Sequence, residues 1–135
     1  MTETSCPLCQ ARNENIVWRD TLLRVIRVDD PDYPGFCRVI LNRHEKEMTD
    51  LPPQERARLM QAVFVVEGAL RELLQPDKVN LAALGNQVPH LHWHIIPRYW
   101  GDPAPGRPLD PGGKMRRLSS DEYQRTIATL QQALA

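Results

Sequence analysis

The sequence has no excess of charge of either sign: 17 lysines and arginines stand against 17 aspartates and glutamates in 135 residues. A neutral chain sets up no global field for a polyanion, so composition gives no support to binding of a nucleic-acid polymer. No apolar run approaches the roughly 20 residues that span a bilayer, so no membrane partner is expected. The opening MTETSCPLCQ has neither a basic region nor an apolar core and does not read as a secretory signal. Three cysteines are an odd count, which argues against a disulfide framework and makes the reducing cytoplasm the expected compartment. There is no internal repeat, no low-complexity segment and no Gly-Lys-Ser/Thr phosphate loop. What remains is ordinary for a soluble globular protein: 41% hydrophobic and 25% charged residues, in a length that suits one domain with a real core.

One stretch is not ordinary. Residues 85–97, GNQVPHLHWHIIP, hold His90, His92 and His94, three of the four histidines in the chain. They alternate with Leu91, Trp93 and Ile95. Residues two apart on a β-strand share a face, so one face would carry three imidazoles about 7 Å apart and the other a core-packing set. Pro97 is expected to end the strand, because proline donates nothing to a ladder. The opposite face already does the apolar work, so core filling does not account for the three rings. They point either to a metal site or to nucleophilic and acid–base chemistry. A neutral imidazole is a competent nucleophile near pH 7, and its attack on phosphorus gives a phosphoramidate that water can cleave. Such a ring needs one nitrogen bare and the other pinned by an acceptor. Turn N–H groups from Gly85 to Val88 are placed to hold phosphate oxygens. Three zinc ligands at this spacing converge poorly, since the outer two lie about 13 Å apart on a straight strand.

The remaining chain supplies a sheet and helices. Cys6-Pro7-Leu8-Cys9 offers two thiolates at zinc-knuckle spacing, with two unrelated surface cysteines as the alternative; no strand leads into it, which argues against a redox helix. Residues 16–28 read as two short strands split near Arg19-Asp20, and 29–35, DDPDYPG, as a loop. Residues 36–41, FCRVIL, read as a buried strand with Cys37 as a small core residue, and 79–84 as a strand leading into the Gly85 turn. One long helix is expected over 49–74, with Pro52-Pro53 in its first turn and Leu59, Met60, Val63, Val66, Leu70, Leu73 and Leu74 at helical spacing. Residues 98–118 read as an irregular Pro/Gly-rich loop, in which Arg98, Arg107, Lys114, Arg116 and Arg117 outnumber Asp102 and Asp110. Ser119 and Glu122 make a capping box for a last helix over 119–135, with a stripe of Tyr123, Ile127, Leu130 and Leu134.

The run His90-Leu91-His92-Trp93-His94-Ile95-Ile96 resembles the histidine triad motif, His-φ-His-φ-His-φ-φ with φ apolar, and the likeness extends from Cys6 to about Pro97. The chain departs from that family in one place. Many members follow Gly-Gln with Ser or Thr, whereas Gly85-Asn86-Gln87 stands here, so a hydroxyl that helps the leaving group is missing. The resemblance implies an α+β fold: an antiparallel sheet of about five strands with one long helix packed on it and a C-terminal helix. The whole of 1–135 would be one such domain, preceded over 1–15 by the Cys-x-x-Cys segment and usually paired as a homodimer. The implied activity is a nucleotide hydrolase or transferase acting at the α-phosphate of a nucleoside 5′-phosphate derivative, such as a dinucleoside polyphosphate, an aminoacyl adenylate or a phosphoramidate. By matching positions, His92 would be the nucleophile and His94 would contact the phosphate. Asn80, Gly85, Asn86 and Gln87 would bind phosphate, Asp29 or the adjacent Asp30 the ribose hydroxyls, and Ile26 and Val28 the base. The resemblance also implies a structural zinc on Cys6, Cys9, His44 and His90, because zinc-containing relatives complete a tetrahedron with histidines at the last two positions. The ring of His90 would then face the metal while its carbonyl holds the His92 N–H. Three rival readings stay open: a catalytic zinc on the three triad histidines, a nucleotide-binding module without catalysis, and a nucleotidyl transferase of a larger type.

Overall fold

The computed structural model describes residues 2–102 and 118–135. Five strands form one antiparallel sheet: β1 (Asn15–Arg19), β2 (Leu23–Arg27), β3 (Cys37–Leu41), β4 (Lys78–Ala82) and β5 (His92–Arg98), in the order β1-β2-β3-β5-β4. The first hairpin is closed by Asp20, whose carboxylate accepts the N–H groups of Leu22 and Leu23, each at 2.8 Å. Two helices follow the expected periodicity, α1 (Pro53–Leu74) and α2 (Ser120–Leu134). The fold is therefore α+β, as the resemblance implied.

Alternation decides which face of the sheet is which. Val25, Cys37, Val39, Leu41 and Ile95 point to one side and form a buried core with Leu59, Val63, Val66, Leu70 and Leu74 of α1. Each such aliphatic side chain contributes roughly 1.5–3 kcal/mol on burial. The helix α2 adds Leu130 and Leu134 to that core, and its N-terminus carries the expected capping box: Ser119 Oγ accepts from the Glu122 N–H at 3.2 Å, and Glu122 Oε1 from the Ser119 N–H at 3.1 Å. The other face is crossed by two rows set by the register. Ile26, Arg38, His94 and Ala82 form one; Arg24, Ile40 and His92 form the next.

Several boundaries differ from the sequence reading. The long helix begins at Pro53, and Met48–Asp50 is a separate 3-10 turn. Leu51 and Pro52 each precede a proline, which disfavours helical ψ, and both are extended at ψ 145° and 148°. Pro97 does not end its strand but lies inside β5, opposite Val79. The β3 ladder stops at the Cys37–Ile95 pair, so Pro97 has one neighbour strand and its missing N–H is tolerated. Phe36 precedes β3, and β4 stops at Ala82, short of the expected Leu84. His90 and Leu91 precede β5, so the triad is not one straight strand face. On α2, Thr126 is buried where Tyr123 and Ile127 are only half-buried, because its hydroxyl donates to the Glu122 carbonyl at 2.7 Å. Residues 103–117, with Arg107, Lys114, Arg116 and Arg117, lie outside the described residues.

Candidate active site and metal centre

The turn before β5 creates the site. Gly85 adopts φ 68°, a left-handed conformation that favours glycine. The His90 N–H then donates to the Val88 carbonyl at 2.8 Å, and the Leu91 N–H to the Glu45 carbonyl at 2.9 Å. This curl rotates His90 away from the face that His92 and His94 share.

His90 is buried, and both of its ring nitrogens are committed. Its Nε2 lies 2.6 Å from the Leu41 carbonyl oxygen, so Nε2–H donates and Nδ1 is left with its lone pair. That Nδ1 lies 3.3 Å from Cys6 Sγ and 3.4 Å from Cys9 Sγ, and His44 Nδ1 lies 3.3 Å from Cys9 Sγ. One donor atom from each of Cys6, Cys9, His44 and His90 falls within 4.8 Å of all the others. Around a tetrahedral zinc with Zn–S of about 2.3 Å and Zn–N of about 2.0–2.1 Å, sulfur and nitrogen ligands lie about 3.5 Å apart. The cluster fits that ion in donor type and in spacing. The carbonyl behind His90 is the outer partner that a ligating histidine requires. Burial holds the His90 pKa below its ordinary value and favours the neutral, ligating ring.

The knuckle is tied to the sheet by a residue that sequence reasoning passed over. Arg24, buried within β2, donates through Nη2 to the Leu8 carbonyl at 2.9 Å. Its Nε and Nη2 grip the Glu14 carboxylate at 2.7 and 3.2 Å, and Nη1 reaches Asn42 Oδ1 at 3.2 Å. A charged residue inside an apolar strand was the available signal.

His92 and His94 remain on the sheet face, their ring centroids 4.9 Å apart. His92 Nδ1 lies 2.6 Å from the His90 carbonyl oxygen. A carbonyl only accepts, so the proton is on Nδ1 and the neutral ring leaves Nε2 bare. Burial, and then the charge of Arg38, lowers the His92 pKa against the opposing pull of the His90 carbonyl. The same two causes, with His92 as a third, hold His94 at about 4. Both rings are neutral at pH 7. They open on a cavity of about 410 Å³ bounded by the knuckle residues Pro7 and Leu8, by Arg38, and by the Gly85–Val88 turn. Asn86 and Gln87 line it and are exposed. Across the Gly85 turn a second cavity of about 230 Å³ also reaches His92 and is bordered by Lys46 and Thr49.

The other expected residues are not all gathered there. Ile26 is buried beside Arg38 on the same sheet face. Val28 is half-buried, its N–H donating to the Phe36 carbonyl at 2.9 Å. Asp29 is exposed, and Asp30 accepts the Asp32 N–H at 2.9 Å. Asn80 does not line the cavity; its Oδ1 accepts from Arg98 Nη1 at 2.8 Å, and Arg98 in turn binds both carboxylate oxygens of Asp102. Arg38 was read only as part of an apolar strand, although its parity with His94 across the sheet places it in the cavity.

The chain so described is similar to known proteins. A histidine triad protein of Bradyrhizobium japonicum superposes with a TM-score of 0.72 at 33% identity, covering 91% of this chain and 92% of that one. AP-4-A phosphorylase of Mycobacterium tuberculosis is 28% identical over 105 residues, 73% of this chain and 54% of the relative. Asymmetrical bis(5′-nucleosyl)-tetraphosphatase of Schizosaccharomyces pombe is 32% identical over 77 residues, 53% of this chain and 42% of the relative. The chain thus spans about half the length of these two relatives. The sequence profile described as the HIT domain matches residues 10–101, most of the chain, so the protein belongs to the HIT domain family.

Proposed function

We propose that the protein is a nucleotide hydrolase that cleaves at the α-phosphate of a nucleoside 5′-phosphate derivative through a covalent nucleotidyl-His92. The observation that carries this reading is the 2.6 Å contact between His92 Nδ1 and the His90 carbonyl, which fixes the tautomer with Nε2 bare. In the first step the Nε2 lone pair forms a bond to the α-phosphorus, the bond to the leaving group breaks, and its electron pair departs with that group. The imidazolium so formed is held by the His90 carbonyl. In the second step water attacks phosphorus and loses a proton to solvent, the P–N bond breaks with its electron pair returning to Nε2, and the nucleoside monophosphate is released. His94 and the N–H groups of the Gly85–Gln87 turn support the phosphate oxygens, and Ile26, Val28, Asp29 and Asp30 receive the nucleoside; Asn80, held by Arg98 outside the cavity, takes no part. The names of the two relatives above support the substrate class.

Cys6, Cys9, His44 and His90 would hold a zinc ion. A four-ligand ion of this kind supplies fold stability and has no open position for water. This assignment also removes His90 from a three-histidine catalytic metal site, since its Nδ1 faces the two sulfurs. Among the described residues no helix is long and apolar enough to cross a membrane, and we place the protein in the cytoplasm with its cysteines unpaired. We also propose a homodimer, joined so that an open sheet edge is covered.

The test is a panel of diadenosine tetraphosphate, adenosine 5′-phosphoramidate and an aminoacyl adenylate, resolved by chromatography. Release of AMP from at least one is the expected result. Tight nucleotide binding with no release from any of them would make the protein a binding module.

A further inference from the structure

Among the described residues Arg27 and Arg38 each have a buried Nε without a hydrogen-bond partner, and of the two only Arg38 lines the cavity at His92 and His94. Arg24, Arg43, Arg58 and Arg98 each pair with a carboxylate. Arg38 forms no ion pair among the described residues. Its guanidinium carbon sits 5.2 Å from the Phe36 ring centroid, and Phe36 in turn lies 5.5 Å from the His94 ring. Glu14 and Asp30 act on it only through space, and burial pulls its pKa down. Arg38 is half-buried, and withdrawing part of a cation from water without a counter-ion is costly. Such a cation belongs where an anion arrives.

The anion's place is set by the cavity. Among the described residues that line it, Arg38 is the one lysine, arginine, aspartate or glutamate. The remaining polar contributions come from the amides of Asn86 and Gln87 and from backbone N–H groups. Among the described residues no Ser or Thr hydroxyl lines this cavity to pass a proton to a departing amine. The cavity is therefore equipped to neutralise charge on a leaving group and poorly equipped to protonate one.

We propose that Arg38 binds the phosphate of an anionic leaving group, and so selects nucleoside 5′-polyphosphate derivatives over phosphoramidates; this deepens the reading above and rests on it. When the bridging Pα–O bond breaks, the electron pair stays on the departing phosphate, which becomes more negative by one charge. A guanidinium beside that oxygen gains attraction as the bond lengthens, which is the condition for accelerating the step. A neutral amine leaving group draws no such benefit.

The experiment compares kcat/KM for diadenosine tetraphosphate and adenosine 5′-phosphoramidate in wild type, Arg38→Leu and Arg38→Lys, with inorganic tripolyphosphate as a competitive inhibitor of each. Wild type should favour the tetraphosphate. Arg38→Leu should lose about 100-fold on it, at least about 30-fold more than it loses on the phosphoramidate, and should weaken tripolyphosphate inhibition by a similar factor. Arg38→Lys should recover part of both. Equal losses on the two substrates, or tripolyphosphate inhibition that survives the leucine variant, would overturn the assignment while the hydrolase reading stands. Wild type that prefers the phosphoramidate overturns it without any variant, and so covers a leucine variant that fails to fold. Wild type that cleaves neither substrate overturns the hydrolase reading and this inference with it.

Discussion

His90 and His92 share one hydrogen bond that joins two sites: the His90 carbonyl oxygen lies 2.6 Å from His92 Nδ1, while the His90 ring lies within 3.4 Å of both knuckle sulfurs. Backbone and side chain of one residue thus face different chemistry. Whatever fixes the His90 ring also fixes the acceptor that sets the His92 tautomer.

The metal cluster gives the first prediction. Elemental analysis of protein prepared without chelator should find about one zinc per chain. Cys6→Ser combined with Cys9→Ser should lose the metal and melt at lower temperature. A double variant as stable as wild type would reduce Cys6 and Cys9 to ordinary thiols.

Arg24 gives the second. Arg24→Met removes the cation that binds Glu14 and the donor that holds the Leu8 carbonyl. Leaving one partner of a buried pair should cost about 3 kcal/mol in denaturant unfolding. The same variant should release zinc faster to a chelator. A stability change confined to a few tenths of a kcal/mol would mean that the knuckle is held by the metal alone.

The third concerns His94. Burial first, then Arg38 from β3 and His92 from its own strand, bring it from 6.5 to about 4, with the Phe36 ring on its remaining flank. Between these values the folded chain binds fewer protons at this site than the unfolded chain. The site therefore withdraws stability as pH falls from about 6.5, and the loss is complete below about 4. An NMR titration of the His94 ring should give a midpoint near 4; a midpoint near 6.5 would show that Arg38 and burial do not act on it.

Much of this was readable from residues because the signals were periodic. The β-branched, apolar run FCRVIL and the alternation around the histidines placed β3 and β5, and spacing placed α1 on the core. Cys6 and Cys9 were legible as ligands by type and spacing, whereas His44 and His90 joined them only through the resemblance, because the convergence of the four depends on the curl at Gly85, which no period announces. The continuation of β5 through Pro97 was hidden because it depends on how far β3 extends beside it. Arg38 was hidden for a related reason. Its meaning comes from the residue across the sheet, His94, and cross-strand register is not written in either strand alone.

A fourth prediction concerns assembly. Light scattering at micromolar concentration should give about twice the chain mass of 15.5 kDa. A monomer at that concentration would remove the homodimer from the account.

The central claim is that His92 carries the nucleotidyl group, and quenched-reaction mass spectrometry of the His92 peptide tests it most directly. During turnover of diadenosine tetraphosphate the wild-type peptide should carry one adenylyl group on His92. His92→Asn should show no adduct and lose turnover by about four orders of magnitude, while still binding nucleotide. An unmodified His92 peptide together with a His92→Asn enzyme that keeps most of its activity would contradict the mechanism.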